Sequence, residues 1–212
     1  MFELEYKGAN TVVLSTKTTT VVFDPKLSIV GLKDVKVKNN VEVATEKRFL
    51  IEDEAARLII EGPGEYEIGD FAIQGIGALR YIDTEEDEKQ STIYRIEAGD
   101  SRIAVFGNVT AKLTDQQLES IGVVDIAIIP VGGGGYTLDG VEAAALVRSI
   151  EPKVVIPVHY NDSDIKYEVP QEGLEAFTKA LNAPVETTAK YKVKSASSLP
   201  AALTIVELTR TS

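Results

Sequence analysis

The chain has 212 residues, 33 acidic against 22 basic for a formal charge of −11, with a single His and no Cys. That balance argues against a phosphate-backbone partner, since nucleic-acid binding needs a concentrated basic face. The missing Cys excludes disulfides, thiolate zinc sites and cysteine nucleophiles together, and any His-based metal chemistry has one imidazole to use.

The first hundred residues read as β-rich. Phe2 to Tyr6, Thr11 to Ser15 and Thr19 to Phe23 are short runs of β-branched and aromatic residues, separated by Gly8, Asn10 and the turn around Thr16. Asp24-Pro25 stops the third run, because proline has no N–H to give to a sheet ladder. Further strands are expected at Arg57 to Ile60, Phe71 to Ile76, Thr92 to Glu97 and Arg102 to Phe106, with a turn at Pro63-Gly64. The acidic run Asp83 to Glu88 has no apolar face to bury and is expected to be a solvated loop.

In the second half the hydrophobic period changes. Thr114 and Gln117 form a capping-box pattern, with Leu113 and Leu118 as its staple and Gly122 as its stop. Asp125 to Val131 is a continuous apolar run, read as a strand buried on both faces. Asp139 and Glu142 repeat the capping box, and Ala143, Val147 and Ile150 supply the stripe of a helix that ends before Pro152. Val154 to Val158 is a second buried strand. Leu174, Phe177 and Leu181 mark a third helix stopped by Asn182 and Pro184, and Leu203 to Leu208 closes the chain as a strand. Strands first and strand–helix alternation afterwards predict one domain over residues 1–212, with sheets sandwiched between helices. MFELEYKGAN has no basic-then-apolar leader, and no apolar run approaches the ~20 residues of a membrane span, so a cytoplasmic chain is expected.

Three features could carry chemistry. The run Gly132-Gly133-Gly134-Gly135-Tyr136 lies between a strand and a helix N-terminus, where backbone N–H groups can cradle an anion. It lacks the Lys-Ser/Thr of a P-loop and the G-x-G-x-x-G spacing, and Asp139 puts negative charge where a phosphate would sit. Gly133, Gly134, Gly135, Tyr136 and Asp139 are therefore candidate ligand-binding positions, against the plainer reading of a tight crossover. His159 ends the Val154 to Val158 strand, where ligands bind in open α/β sheets. Asn108 follows another strand and reads locally as a turn residue.

Taken in order, VVFDP, GPGEYEIGDFAIQGI, TIYRIEAGDSRIAVFGN, KLTDQQLESIGVVDIAIIPV, IIPVGGGGYTLDGVEAAALV and IEPKVVIPVHY resemble the metallo-β-lactamase-fold hydrolases, in the cytoplasmic bacterial branch related to sugar-phosphate lactonases. The resemblance implies an α/β fold of the αββα type, two mixed sheets flanked by helices with the site along one edge. It also implies one or two metal ions, usually zinc, held by an H-x-H-x-D-H segment, a later His, an Asp and a final His. The first segment falls near Val43 to Leu50, which contains neither His nor Asp. The later His falls near Arg80, the Asp is replaced by Asn108, and only His159 matches a ligand position.

Arg80, Asn108 and His159 are thus vestigial positions of a metal site, with no metal expected on them. Catalytic zinc needs three protein ligands and a water, and one imidazole with a neutral amide falls short of that. Lys47 and Arg80, if both lie at the old site, each repel a dication by about 4 kcal/mol at about 4 Å in an effective dielectric of about 20. Calcium or magnesium on Asp24, Asp139 or Asp162 is the remaining metal route, with no spacing to support it. The reading that follows is a member of the fold without catalytic metal, acting by binding or scaffolding, with an unidentified small molecule or protein as partner and a homo-oligomer compatible with the resemblance. One alternative is a hydrolase of lactones or phosphate esters in which His159 is general acid or base. Another is an anion sensor built on Arg80, Lys47 and the glycine loop.

Overall fold

The computed structural model describes residues 1–82 and 90–211, so the acidic run Asp83 to Glu88 lies outside the described residues. Two mixed sheets face each other. The first takes β1 (Phe2–Gly8), β2 (Thr11–Ser15), β3 (Thr20–Phe23), β4 (Val41–Ala44), β5 (Leu58–Glu61) and β13 (Tyr191–Val193), in the order β13-β1-β2-β3-β4-β5. The second takes β6 (Gly64–Ile68), β7 (Phe71–Leu79), β8 (Gln90–Ala98), β9 (Ser101–Val105), β10 (Ile126–Pro130), β11 (Val154–Val158), β12 (Val185–Thr188) and β14 (Thr204–Leu208), in the order β12-β14-β11-β10-β9-β8-β7-β6. Three helices, α1 (Asp115–Ile121), α2 (Gly140–Ile150) and α3 (Leu174–Leu181), flank the second sheet.

The strand period of two explains both layers. In β10, Ile126 and Ile128 point into the core between the sheets, while Ala127 and Ile129 pack outward with Ala143, Val147, Phe177 and Leu181 of the helices. β11 and β14 divide in the same way, Ile156 and Val206 inward, Val155 and Ile205 outward. Continuous apolar runs are what a parallel strand covered on both faces requires, and β9, β10, β11, β14 and β12 pair in parallel. On the first sheet, short 3-10 turns at Leu27–Val30 and Lys47–Phe49 build small clusters of their own, Leu27 and Val30 with Ala9 and Ile165, Phe49 and Leu50 with Ala44.

Both capping boxes form, Thr114 with Gln117 on α1 and Asp139 with Glu142 on α2. Asn182 closes α3 in the left-handed region. Four strands escape the sequence pattern: β4, β6, β12 and β13. β6 alternates between half-buried and exposed at the sheet's edge and β12 is largely exposed, so neither shows an apolar stripe. β4 and β13 have four and three residues, too few for a period. No helix among the described residues is long and apolar enough to cross a membrane.

α2 and α3 pack at closest approach through Gly140, where a Cβ would stand 2.5 Å from the backbone N of Phe177 and 2.8 Å from the carbonyl carbon of Ala176. Helix backbone yields less readily than a side-chain tip. Gly140→Ala is therefore expected to lower stability by about 1–3 kcal/mol in urea denaturation, as overpacking does. An unchanged midpoint would show that α3 shifts freely.

Candidate functional site

The loops after β3, β4, β7, β9 and β11 and the β1–β2 hairpin meet at one edge of the sandwich. They carry Asp24, Glu46, Arg80, Asn108, His159 and Asn10, all of them buried. The backbone is strained here: Ala9, Asp24 and His159, none of them glycine, have φ of 46°, 49° and 51°. Left-handed residues of this kind persist where the surrounding structure over-determines them, and they gather at functional sites. The His159 N–H donates to the carbonyl of Ala9 at 2.8 Å, locking two of the three to each other.

A directional chain of side-chain hydrogen bonds crosses the site. Asn108 Nδ2 donates to Glu46 Oε1 at 3.0 Å, and Asn10 Nδ2 donates to Asn108 Oδ1 at 3.1 Å. That leaves Asn10 Oδ1 as an acceptor 3.1 Å from His159 Nδ1, so the imidazole carries its proton on Nδ1 and presents Nε2 as a bare acceptor. Nε2 is buried without a hydrogen-bond partner. The carboxylate end of the chain is held by charge: Glu46 Oε2 lies 3.0 Å from Arg48 Nε and 3.5 Å from Arg80 Nε. Arg48 also donates to the Tyr136 hydroxyl, lies over the rings of Phe49 and Tyr136, and approaches Glu168 at 3.7 Å.

The titration of these groups follows from burial. Desolvation pushes His159 down to about 3, with the Arg48 charge adding to it, so the ring is neutral. Desolvation pushes Asp24 up to about 7, although Thr45 donates to it from both its N–H and its hydroxyl, at 2.7 and 2.8 Å. Glu46 is raised by burial as well, against the pull of Arg48 and Arg80.

Beside this chain is a cavity of about 20 Å³, lined by Asn10, Asp24, Phe49, Tyr136, His159 and Gln171 among others. The His159 ring stacks on Tyr136 with centroids 5.4 Å apart and meets Tyr167 at 4.8 Å. The vestigial positions Arg80, Asn108 and His159 thus come together in one buried network. The glycine loop divides. Tyr136 reaches the cavity, while Gly133, Gly134 and Gly135, with φ of 66°, 68° and 71°, make the crossover and are absent from the lining. Asp139 caps α2 through the N–H groups of Val141 and Glu142.

Lys47 is not at the site. Its side chain is exposed, and the second cation is Arg48 one residue on, because the 3-10 turn rotates position 47 outward. Glu46 and Arg48 were invisible to residue-by-residue reading, but a signal was present: they stand two apart, the spacing of H-x-H in the segment expected at Val43 to Leu50. Asn10 had no such signal, since its role depends on partners 98 and 149 positions away.

The Beta-lactamase superfamily domain model matches residues 3–159, most of the chain. The chain belongs to the metallo-β-lactamase-fold hydrolase family. Among its relatives in that family is a UPF0173 metal-dependent hydrolase of Lysinibacillus sphaericus, 26% identical with 75% of this chain and 85% of that protein covered. A namesake from Methanosarcina mazei is 40% identical over a local stretch, 30% of this chain and 25% of that protein. A crystal structure described as a Zn-dependent hydrolase of the same superfamily, from Thermotoga maritima, superposes with a TM-score of 0.77 over 99% of this chain and 100% of its own at 19% identity. A metallo hydrolase from Ignicoccus hospitalis gives 0.66 over 91% and 99% at 18% identity. Those two establish the fold, and the names of the relatives point to a metal in the family.

The donors of this chain do not fit that metal. Among the described residues no group of three or more His, Asp or Glu is arranged to hold an ion. The Glu46 carboxylate is engaged by Asn108 and flanked by two guanidiniums, which repel a dication. The Asn108 carbonyl is taken by Asn10, leaving His159 Nε2 and the Asp24 carboxylate held by Thr45, two donors where a catalytic zinc needs three. Asp139 and Asp162 offer no help, the first capping a helix and the second paired with Arg210 at 2.7 Å.

Proposed function

We propose that this chain is a non-catalytic, metal-independent binding member of the metallo-β-lactamase-fold hydrolases. One observation carries the reading: the positions that the resemblance matches to metal ligands, Arg80, Asn108 and His159, are joined through Glu46, Arg48 and Asn10 in one chain. It runs from Arg48 and Arg80 to Glu46 to Asn108 to Asn10 to His159 and engages them with one another. Cationic side chains supply the positive charge that an ion would otherwise bring. The neutral Asn108 fits this exchange, because an Asp there would set a second carboxylate 3.0 Å from Glu46 with no dication between them.

The hydrolytic alternative is weaker on geometry. His159 is orientated by the Asn10 amide, where a carboxylate would stabilise the imidazolium, and at about 3 it is a poor base at neutral pH. The anion-sensor alternative loses its cations, since Arg48 and Arg80 face Glu46 and do not line the cavity.

Elemental analysis of protein purified without chelator is expected to find no stoichiometric zinc, iron or manganese. Simple lactones and phosphodiesters are expected to turn over no faster with the protein than without it, whether or not zinc is added. Two tightly held ions per chain, or hydrolysis that grows with added zinc, would reject the proposal.

A further inference from the structure

We propose that the cavity at His159 binds the primary-ammonium head of a small organic molecule. The inference rests on the metal-independent reading above and adds the chemical class of the ligand. The buried polar atoms of the wall that lack a partner, His159 Nε2 and Gln171 Oε1, are both acceptors. The Asp24 carboxylate has one donor on each oxygen, both from Thr45, and keeps lone pairs to spare. An ammonium carries three N–H donors and no acceptor, so it complements this set and leaves none of its own groups unsatisfied.

Charge and size narrow the class further. The lining contains Glu168 and Asp24 against one cation, Lys26. Burial raises Asp24 to about 7, so it is about half ionised at neutral pH, and a cationic guest that completes its ionisation is favoured over an anionic one. A cavity of about 20 Å³ holds one water-sized group. A single nitrogen fits where a guanidinium or trimethylammonium head does not. Leu27, Val30, Phe49 and Val169 line the wider pocket, about 440 Å³ with its open mouth, and suit an apolar body behind the head.

The lone imidazole of the chain makes the test direct, because ring 15N signals of the histidine-labelled protein come from one residue. Titration with n-butylamine is expected to move the Nε2 signal saturably. Butan-1-ol and butanoate are expected to leave it in place, and butyltrimethylammonium to bind at least about tenfold more weakly through overpacking. Gln171→Leu is expected to weaken the amine by about tenfold, the worth of a hydrogen bond to a charged group. Should that variant fail to fold, the wild-type titration decides alone. An Nε2 signal indifferent to butylamine, with the metal analysis still negative, overturns this inference and leaves the metal-independent reading standing. A signal shifted by one equivalent of zinc overturns both.

Discussion

Glu46→Gln is expected to destabilise the fold by about 3–5 kcal/mol, the cost of removing one member of a buried ion pair. The Arg80 and Glu46 side chains are 5% and 3% exposed, so solvent cannot take over the lost charge. The substitution keeps the shape and one hydrogen bond from Asn108, which isolates the electrostatic loss. At about 2–4 °C per kcal/mol for a chain of this size, the melting temperature should fall by roughly 6–20 °C. Adding Arg80→Met to Glu46→Gln should recover part of the loss, because it replaces a buried guanidinium that has lost its Glu46 pair by an apolar side chain of similar volume. Thermal and urea unfolding of the three proteins measure this. A loss below about 1 kcal/mol for the single variant would mean that the network is solvated and does not hold the site together.

Asp24 and His159 should impose opposite pH dependences on stability, nearly cancelling in the wild type. Asp24 rises from 3.8 to about 7 on burial. Between those values the folded chain holds a proton that the unfolded chain releases, so this contribution falls as pH rises through the window. His159 drops from 6.5 to about 3. There the unfolded chain takes up a proton that the folded one refuses, so stability falls as pH drops from about 6.5 toward 3. At about 1.4 kcal/mol per unit each effect is of order 4 kcal/mol, and across pH 4 to 6.5 the slopes oppose. Asp24→Asn should expose the His159 limb alone: stability rising with pH up to about 6.5, and a higher midpoint than wild type at about pH 8. His159→Asn, a residue that tolerates the left-handed backbone, should expose the Asp24 limb, with stability falling from about pH 4 to 7. Urea midpoints across pH for the three proteins decide the matter. Variants that both keep the wild-type profile would show that neither group is desolvated as described.

The particular elements show where local reading succeeds. Val154 to Val158 was legible because five apolar residues before a His leave little choice but a covered strand, and Thr114 with Gln117 because a capping box lies within one helical turn. β6 and β12 were illegible because exposed edge strands carry no hydrophobic period to detect. At the site, the lost ligands were legible as mismatches to a family pattern at Arg80, Asn108 and His159. What replaced them was not, and the misassigned cation, Lys47 in place of Arg48, shows why: which side of a 3-10 turn faces inward depends on what packs against it.

The composition determined early that imidazole chemistry was limited to one residue and thiolate chemistry absent, since no fold can supply a side chain that the chain lacks. Periodicity and capping patterns determined most of the strands and the helices among the described residues, because these patterns lie within a few residues. Only the tertiary structure decided that Glu46 would lie between two guanidiniums, that Asn10 would bridge Asn108 and His159, and that the surviving imidazole would present a bare acceptor. Those contacts join residues 62, 98 and 149 positions apart. Whether an amide meets a carboxylate, a metal or another amide is set by which strand ends the two sheets bring to one edge.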